Sequence, residues 1–323
     1  MRGVNMKRMA GCAALVAAML LGPGALDQAS AFEGRSFTAS AEAVTVNFQY
    51  GIPGFILTDK YIDYGGPTAQ ARFESVGGKR AQAQFPYIGY QADYPGLYAT
   101  VAAQFTATPP QLPSYPFRAA ADSDGQSEQV IGQESAPYFV KAKATTESTN
   151  SIARFGAPPG SDGASAPSSL AKTEIIDRAD GVTVIAETVA QSFSLGPLSV
   201  TDMRAKSTSS YTSGAADVVT KTETFVKGVA AGTMAFSFGP DGLKVAQNGV
   251  PVPAEQGLSA LNQALAPAGF EIHFAASRTL PGGAAAAAFE IVQMHPVPGA
   301  GEGREGIFRI RFGGVISQIS LGA

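Results

Sequence analysis

The amino-acid sequence predicts a mainly β protein: an antiparallel sheet or sandwich of long strands with one short α-helix near 254–266. Three observations predict it. Apolar and polar residues alternate in run after run, which is the period of a half-buried strand. Turn signals built on Gly, Pro and Asp separate the runs. Charge is low, at 15% of the 323 residues, and Ala, Ser, Thr and Gly are plentiful, which suits thin layers of small side chains better than a helical bundle.

Residues 1–31 have the layout of a secretory signal peptide. Arg2, Lys7 and Arg8 precede the apolar run "GCAALVAAMLLGPGAL", and Ala29 and Ala31 form an A-x-A site with cleavage expected after Ala31. Gly22, Pro23 and Gly24 break the run, which is too short to serve as a membrane span. Cys12 lies ahead of the apolar core rather than at its end, so it leaves with the peptide and does not mark a lipoprotein. The mature chain, residues 32–323, then contains no cysteine, hence no disulfide, no thiolate nucleophile and no Cys-ligated metal. Removing three basic residues and Asp27 from totals of 23 and 26 leaves 20 − 25 = −5. That mild acidity excludes the basic footprint of a nucleic-acid binder. No later stretch has transmembrane length free of charge and Pro, and no sorting motif or basic tail follows "ISQISLGA", so the mature protein is expected to be released or held non-covalently.

The strands follow. Val44, Val46, Phe48 and Tyr50 alternate in "VTVNFQY", as do Met234, Phe236 and Phe238 in "TMAFSFG". In "IFRIRF", Phe308, Ile310 and Phe312 take one face, with Ile307, Arg309 and Arg311 on the other. "YFVKAKATTESTNSIARFG" and "GVTVIAETVAQSFSLG" lack internal breakers and read as long strands. Turns are expected at Gly65-Gly66-Pro67, Gly77-Gly78, Asp180-Gly181, Pro240-Asp241-Gly242 and Pro281-Gly282-Gly283. In the helix, Leu258, Leu261 and Leu265 recur at i, i+3 and i+7 as a core-packing stripe, and Pro267 and Gly269 end it. The Pro/Gly/Ser-rich segment 156–169 is a long loop inside one β-rich domain or, alternatively, a linker between two β domains, 32–155 and 170–323. Nine of the ten tyrosines precede it, which favours a division; strands on both sides favour a loop.

Few residues could carry chemistry. The two histidines, His273 and His295, sit on an expected hairpin turning at Pro281-Gly282-Gly283. With paired positions summing to 564, His273 faces Ile291, and His295 lies four residues further, roughly 14 Å away, too far to share a metal or a proton. Slipping the register by one puts them on opposite faces. "GEGREG" has G-x-G-x-x-G spacing but lacks the strand before and helix after that a dinucleotide site needs. Asp122, Asp124 and Glu128 share one polar loop, where turn chemistry outweighs calcium binding. Tyr87, Tyr90, Tyr94 and Tyr98 could form an aromatic surface, although aromatic packing at sheet edges is the plainer use. No catalytic, cofactor-binding or metal-binding residue is assigned.

"SLGPLSVTDMRAKSTSSYTSG" and the following "TFVKGVAAGTMAFSFGPDGLKV" resemble the choice-of-anchor P type of secreted protein from high-GC Gram-positive bacteria. Alternating small-residue strands, an A-x-S-T-S run and a V-x-G-V step carry the resemblance, over roughly Val182 to Val250. It implies an exported surface or extracellular protein of undefined activity, with no catalytic residues to carry over. Three functions follow, in order of preference: an exported non-enzymatic β protein with a structural or interaction role at or outside the cell envelope; an extracytoplasmic carrier of an apolar, lipid-like ligand; and a secreted hydrolase using His273 or His295. The expected partners are cell-envelope components or an apolar ligand. A ligand-sized pocket would discriminate among the three functions.

Overall fold

A computed structural model describes residues 36–51, 62–86, 118–156, 168–275, 277–296 and 305–322. The expected signal peptide, the tyrosine-rich stretch from Tyr87 to Tyr98 and Gly301–Arg304 of "GEGREG" lie outside the described residues.

The architecture is the mainly β one expected: among the described residues, two ten-stranded antiparallel sheets pack face to face. The first sheet is centred on β1 (Phe37–Gly51), flanked by β20 (Glu305–Leu321) and β3 (Thr68–Glu74). Beyond β3 come β4 (Lys79–Gln84) and β5 (Arg118–Asp122), while β2 (Ile62–Gly65) pairs with the later half of β1. Beyond β20 lie β18 (Gly283–Ala286) and β19 (Phe289–Pro296), which carry β17 (Arg278–Leu280) and β16 (Glu271–His273) at the margin. The second sheet is a meander of β6 (Glu128–Gly132), β7 (Tyr138–Ala144), β8 (Ser148–Gly156), β9 (Ser168–Arg178), β10 (Gly181–Leu195), β11 (Leu198–Thr212), β12 (Val219–Ala230), β13 (Met234–Gly239), β14 (Gly242–Gln247) and β15 (Val250–Val252). The helix α1 (Ala254–Leu265), continued by a 3-10 turn at Ala266–Ala268, returns the chain to the first sheet. The last strand then pairs with the first along its length, from Phe37 opposite Leu321 to Gly51 opposite Ile307.

The expected turns at Asp180-Gly181, Pro240-Asp241-Gly242 and Pro281-Gly282-Gly283 are where hairpins reverse. The β14–β15 hairpin turns on Asn248-Gly249, both with positive φ (49° and 83°), as a type I′ turn requires. The segment around 156–169 joins two strands that pair with each other, Gly156 opposite Ser168 through Ser148 opposite Ile176; residues 157–167 are outside the described part.

Two strand expectations need correction. "YFVKAKATTESTNSIARFG" is a hairpin, not one strand: β7 and β8 reverse over Thr145–Ser148. The turn contains neither Gly nor Pro. It is held by the Thr145 hydroxyl, which accepts from the Ser148 N–H (3.1 Å), a side-chain substitute for turn residues. Val44 also does not share a face with Val46 and Phe48. Inward residues on β1 run Phe37, Ala39, Ala41, Ala43, then shift parity to Val46 and Phe48. Strand β20 shifts between Phe312 and Val315, and the β18–β19 line shifts between Ala286 and Phe289. The shifts line up across the sheet, with Val44 opposite Gly314. The second sheet shifts too, around Ser192 (φ 54°) and at a β-bulge between Val200 and Asp202.

The shift divides the interior into two kinds. On one side the layer between sheets is mostly alanine: Ala39, Ala41 and Ala43 of β1 and Ala69 and Ala71 of β3 are buried, as are Ala171 of β9 and Ala186 of β10 opposite. Such small residues bring the sheets nearer than the ~10 Å of a bulky sandwich. Hydroxyls therefore reach the opposite backbone: Ser151 on β8 donates to the Gln70 carbonyl on β3 (3.0 Å), and Ser207 and Ser209 on β11 donate to the Ala284 and Ser317 carbonyls (3.0 Å each). On the other side the core is bulky, with Phe289, Ile291, Ile310 and Phe312 facing Leu198, Met203, Val226 and Phe236.

Helix α1 closes the bulky end. Leu261 and Leu265 are fully buried there, and Gly257 lets the helix approach Val245, so the contact line is Gly257–Leu261–Leu265. Leu258 is not part of it: although only about 20° from the Leu265 direction, it lies two turns earlier along the helix and is 41% exposed.

Candidate functional site

The hairpin bearing the histidines forms, with a register one residue from the expected one. Paired positions sum to 563, because Pro281 and Gly282 alone make the turn, so His273 stands opposite Glu290 rather than Ile291. His295 pairs with Gly306 on β20 and lies five residues from Glu290, roughly 17 Å along the strand. The His273 side chain is exposed and its Nε2 is 3.4 Å from the equally exposed Glu271 carboxylate. The two histidines are not brought together.

The carboxylates of the polar loop also disperse. Asp122 pairs with Arg80 (3.0 Å) and accepts from the Asp124 N–H (3.0 Å) through its other oxygen, an Asx turn. Glu128 pairs with Lys141 (2.9 Å), whose hydrogen bond and charge hold its carboxyl below the ordinary range. Among the described residues, no group of three or more His, Cys, Asp or Glu side chains is placed to hold a metal.

Among the described residues, two concavities stand out. The first opens where the sheets part at the shifted end, between β1 and the β8–β10 hairpins. It is a groove of about 370 Å³, floored by Val46, Phe48, Phe193 and Phe312 and walled by Phe85 and Phe155. The phenylalanines are ordered by one another: Phe85 stacks on Phe155 with centroids 4.6 Å apart, and Phe193 stacks on Phe312 at 5.2 Å. Its polar groups include Thr45, Ser168, Ser169, Gln191 and Ser194, with Ser168 donating to Gln191 at 3.5 Å. An apolar cleft of this size with a few polar groups is the usual composition of a small-ligand site. Alternation around Val46, Phe48 and Phe312 was legible in the sequence; their meeting with Phe85 and Phe155 was not, since the five residues come from four distant segments.

The second lies on the outer face of the first sheet, where the parity shift turns Val44 and Ala287 outward. It measures about 390 Å³ and is rimmed by Glu42, Asn47, Arg278, Glu290 and Arg311. Glu290 pairs closely with Arg309 and, at 3.9 Å, with Arg311. The rim carries two carboxylates and two guanidiniums, so its charges balance.

Comparison with known proteins adds little. No family model matches the chain. No curated protein matches it either. Among solved structures, OccK9 (OpdG) of Pseudomonas aeruginosa aligns over 90% of this chain and 100% of its own, at 10% identity and a TM-score of 0.17. A superposition that poor supports no statement about fold or function. No helix among the described residues is long and apolar enough to cross a membrane, which says nothing of crossing by strands.

Proposed function

We propose that the protein is an exported, non-enzymatic β-sandwich that acts by binding at or outside the cell envelope, and that it takes an apolar, lipid-like ligand in the phenylalanine-lined groove. The groove is the observation that carries this, since it joins ligand size, apolar lining and pre-ordered aromatic walls. The signal-peptide pattern of residues 1–31 and the resemblance of Val182–Val250 to choice-of-anchor P proteins support export. The dispersal of His273, His295 and the loop carboxylates weighs against a hydrolase. A purely structural role is the second reading, favoured by the close-packed alanine interior.

Titration of the mature chain with anilinonaphthalene sulfonate tests the proposal. Saturable one-to-one binding is expected, weakened at least ~10-fold by Phe155→Glu, which sets a charge in an apolar wall. Phe155 is 46% exposed, so the change should leave folding intact. An unsaturated, non-specific response from a folded protein would favour the structural role instead.

A further inference from the structure

Strand β12 has one edge only partly covered. On one side it pairs with β11 from Val219 to Ala230. On the other, β13 covers Val226–Ala230 alone and turns away at Gly239, beside Thr224 and Phe225. Among the described residues, the seven from Val219 to Phe225 therefore present a strand edge with no pairing strand. Uncovered backbone donors and acceptors of this kind recruit another strand unless the sequence opposes it.

The sequence of the edge, "VTKTETF", is complementary to itself read backwards. With two copies antiparallel about Thr222, Val219 faces Phe225, Thr220 faces Thr224, and Lys221 faces Glu223. We propose that this edge is a homodimer interface: two chains pair through β12 around a two-fold axis at Thr222, extending the second sheet from one copy into the next.

Charge selects that register. The Lys221 and Glu223 side chains are 74% and 56% exposed and already meet within one chain at 2.6 Å. In the two-fold pairing each also lies roughly 5 Å from its opposite number on the other copy. A one-residue slip would set charged residues against threonines, and a parallel in-register pairing would set Lys against Lys and Glu against Glu. The charges that deter a foreign strand thus accept a second copy. The charged pairs at the centre of the pairing, Lys221 with Glu223 about Thr222, fall in the part of the edge that β13 leaves open, while Gly239, beside Thr224 and Phe225, bounds it. Pairing covers Val219, which is 72% exposed in the single chain, with the partner's Phe225. The arrangement is isologous and closes at two copies, which prevents open-ended sheet growth.

The test is sedimentation velocity of the mature chain over a range of concentrations, with circular dichroism to verify folding. The wild type should be a dimer in reversible exchange with monomer. K221E and E223K should each weaken self-association at least ~10-fold, because both cross-strand pairs turn from attractive to repulsive. A one-to-one mixture of K221E and E223K should form a heterodimer, and the double variant K221E/E223K should dimerise like the wild type. A monomeric wild type, single variants that dimerise undiminished, or a mixture that stays monomeric would each overturn the proposal.

Discussion

Ser209 on β11 and Ser317 on β20 meet between the sheets, with hydroxyl oxygens 2.8 Å apart while the Ser209 hydroxyl also reaches the Ser317 carbonyl at 3.0 Å. Ser207 joins the same cluster, 2.8 Å from the Ser317 hydroxyl, and donates to the Ala284 carbonyl. All three serines are fully buried. Polar side chains here occupy the middle of a sandwich, because each finds a partner across a gap too narrow for larger residues.

Ser317→Ala should cost about 1 kcal/mol, one net hydrogen bond, since Ser207 and Ser209 keep their carbonyl acceptors. Ser317→Val should cost more, by about 1–3 kcal/mol, although valine is the better strand former, because added methyls must push the sheets apart. Urea denaturation with an unchanged slope would measure both. A stabilising valine would show that the layer has room to spare.

Leu261→Ala should destabilise by about 2–5 kcal/mol, as truncations of fully buried leucines do. Leu258→Ala, at the exposed position, should cost less than ~0.5 kcal/mol. Thermal unfolding of the two variants side by side checks the helix orientation, and equal losses would contradict it.

Gly313 has φ 66°, and an added Cβ would lie 3.1 Å from the Ala288 Cβ and 3.4 Å from the Ala205 Cβ. Gly313→Ala combines left-handed strain with crowding and should cost about 1–3 kcal/mol. Because Gly313 sits where the inward parity shifts, its loss should also loosen amide-exchange protection on both sides of it, in β20 and β19.

Asp177 gives a pH prediction. Burial pushes its carboxyl above the ordinary 3.8, while the Lys79 charge pulls partly back, and its Oδ1 is buried without a hydrogen-bond partner. An acid with a raised folded pKa is best tolerated protonated. Its penalty is absent below the unfolded pKa and appears as pH rises through the folded value. Asp177→Asn should therefore raise the melting temperature at pH 7, and the gain should shrink to nothing as pH falls below about 3.8. A gain independent of pH would assign the effect to packing rather than ionisation.

Local pattern carried much of this architecture. Alternation placed Met234, Phe236 and Phe238 inward and set Phe308, Ile310 and Phe312 apart from Arg309 and Arg311, because a strand's side-chain period is a property of the chain itself. Turn residues placed the Pro281-Gly282 and Pro240-Asp241 hairpins for the same local reason. The abundance of alanine and serine announced a thin layer before any pairing was known. What tertiary structure alone decided was whatever depends on two distant segments meeting. The parity shift at Val44, Gly314 and Ala287 follows from three strands bending together, and none of them signals it alone. The exposure of Leu258 depends on how α1 settles over Val245, since a helix of period 3.6 offers several directions for one apolar stripe. The groove arises only where Phe85, Phe155 and Phe193 converge from separate segments. Long-range packing chooses such partners, and no local period records them.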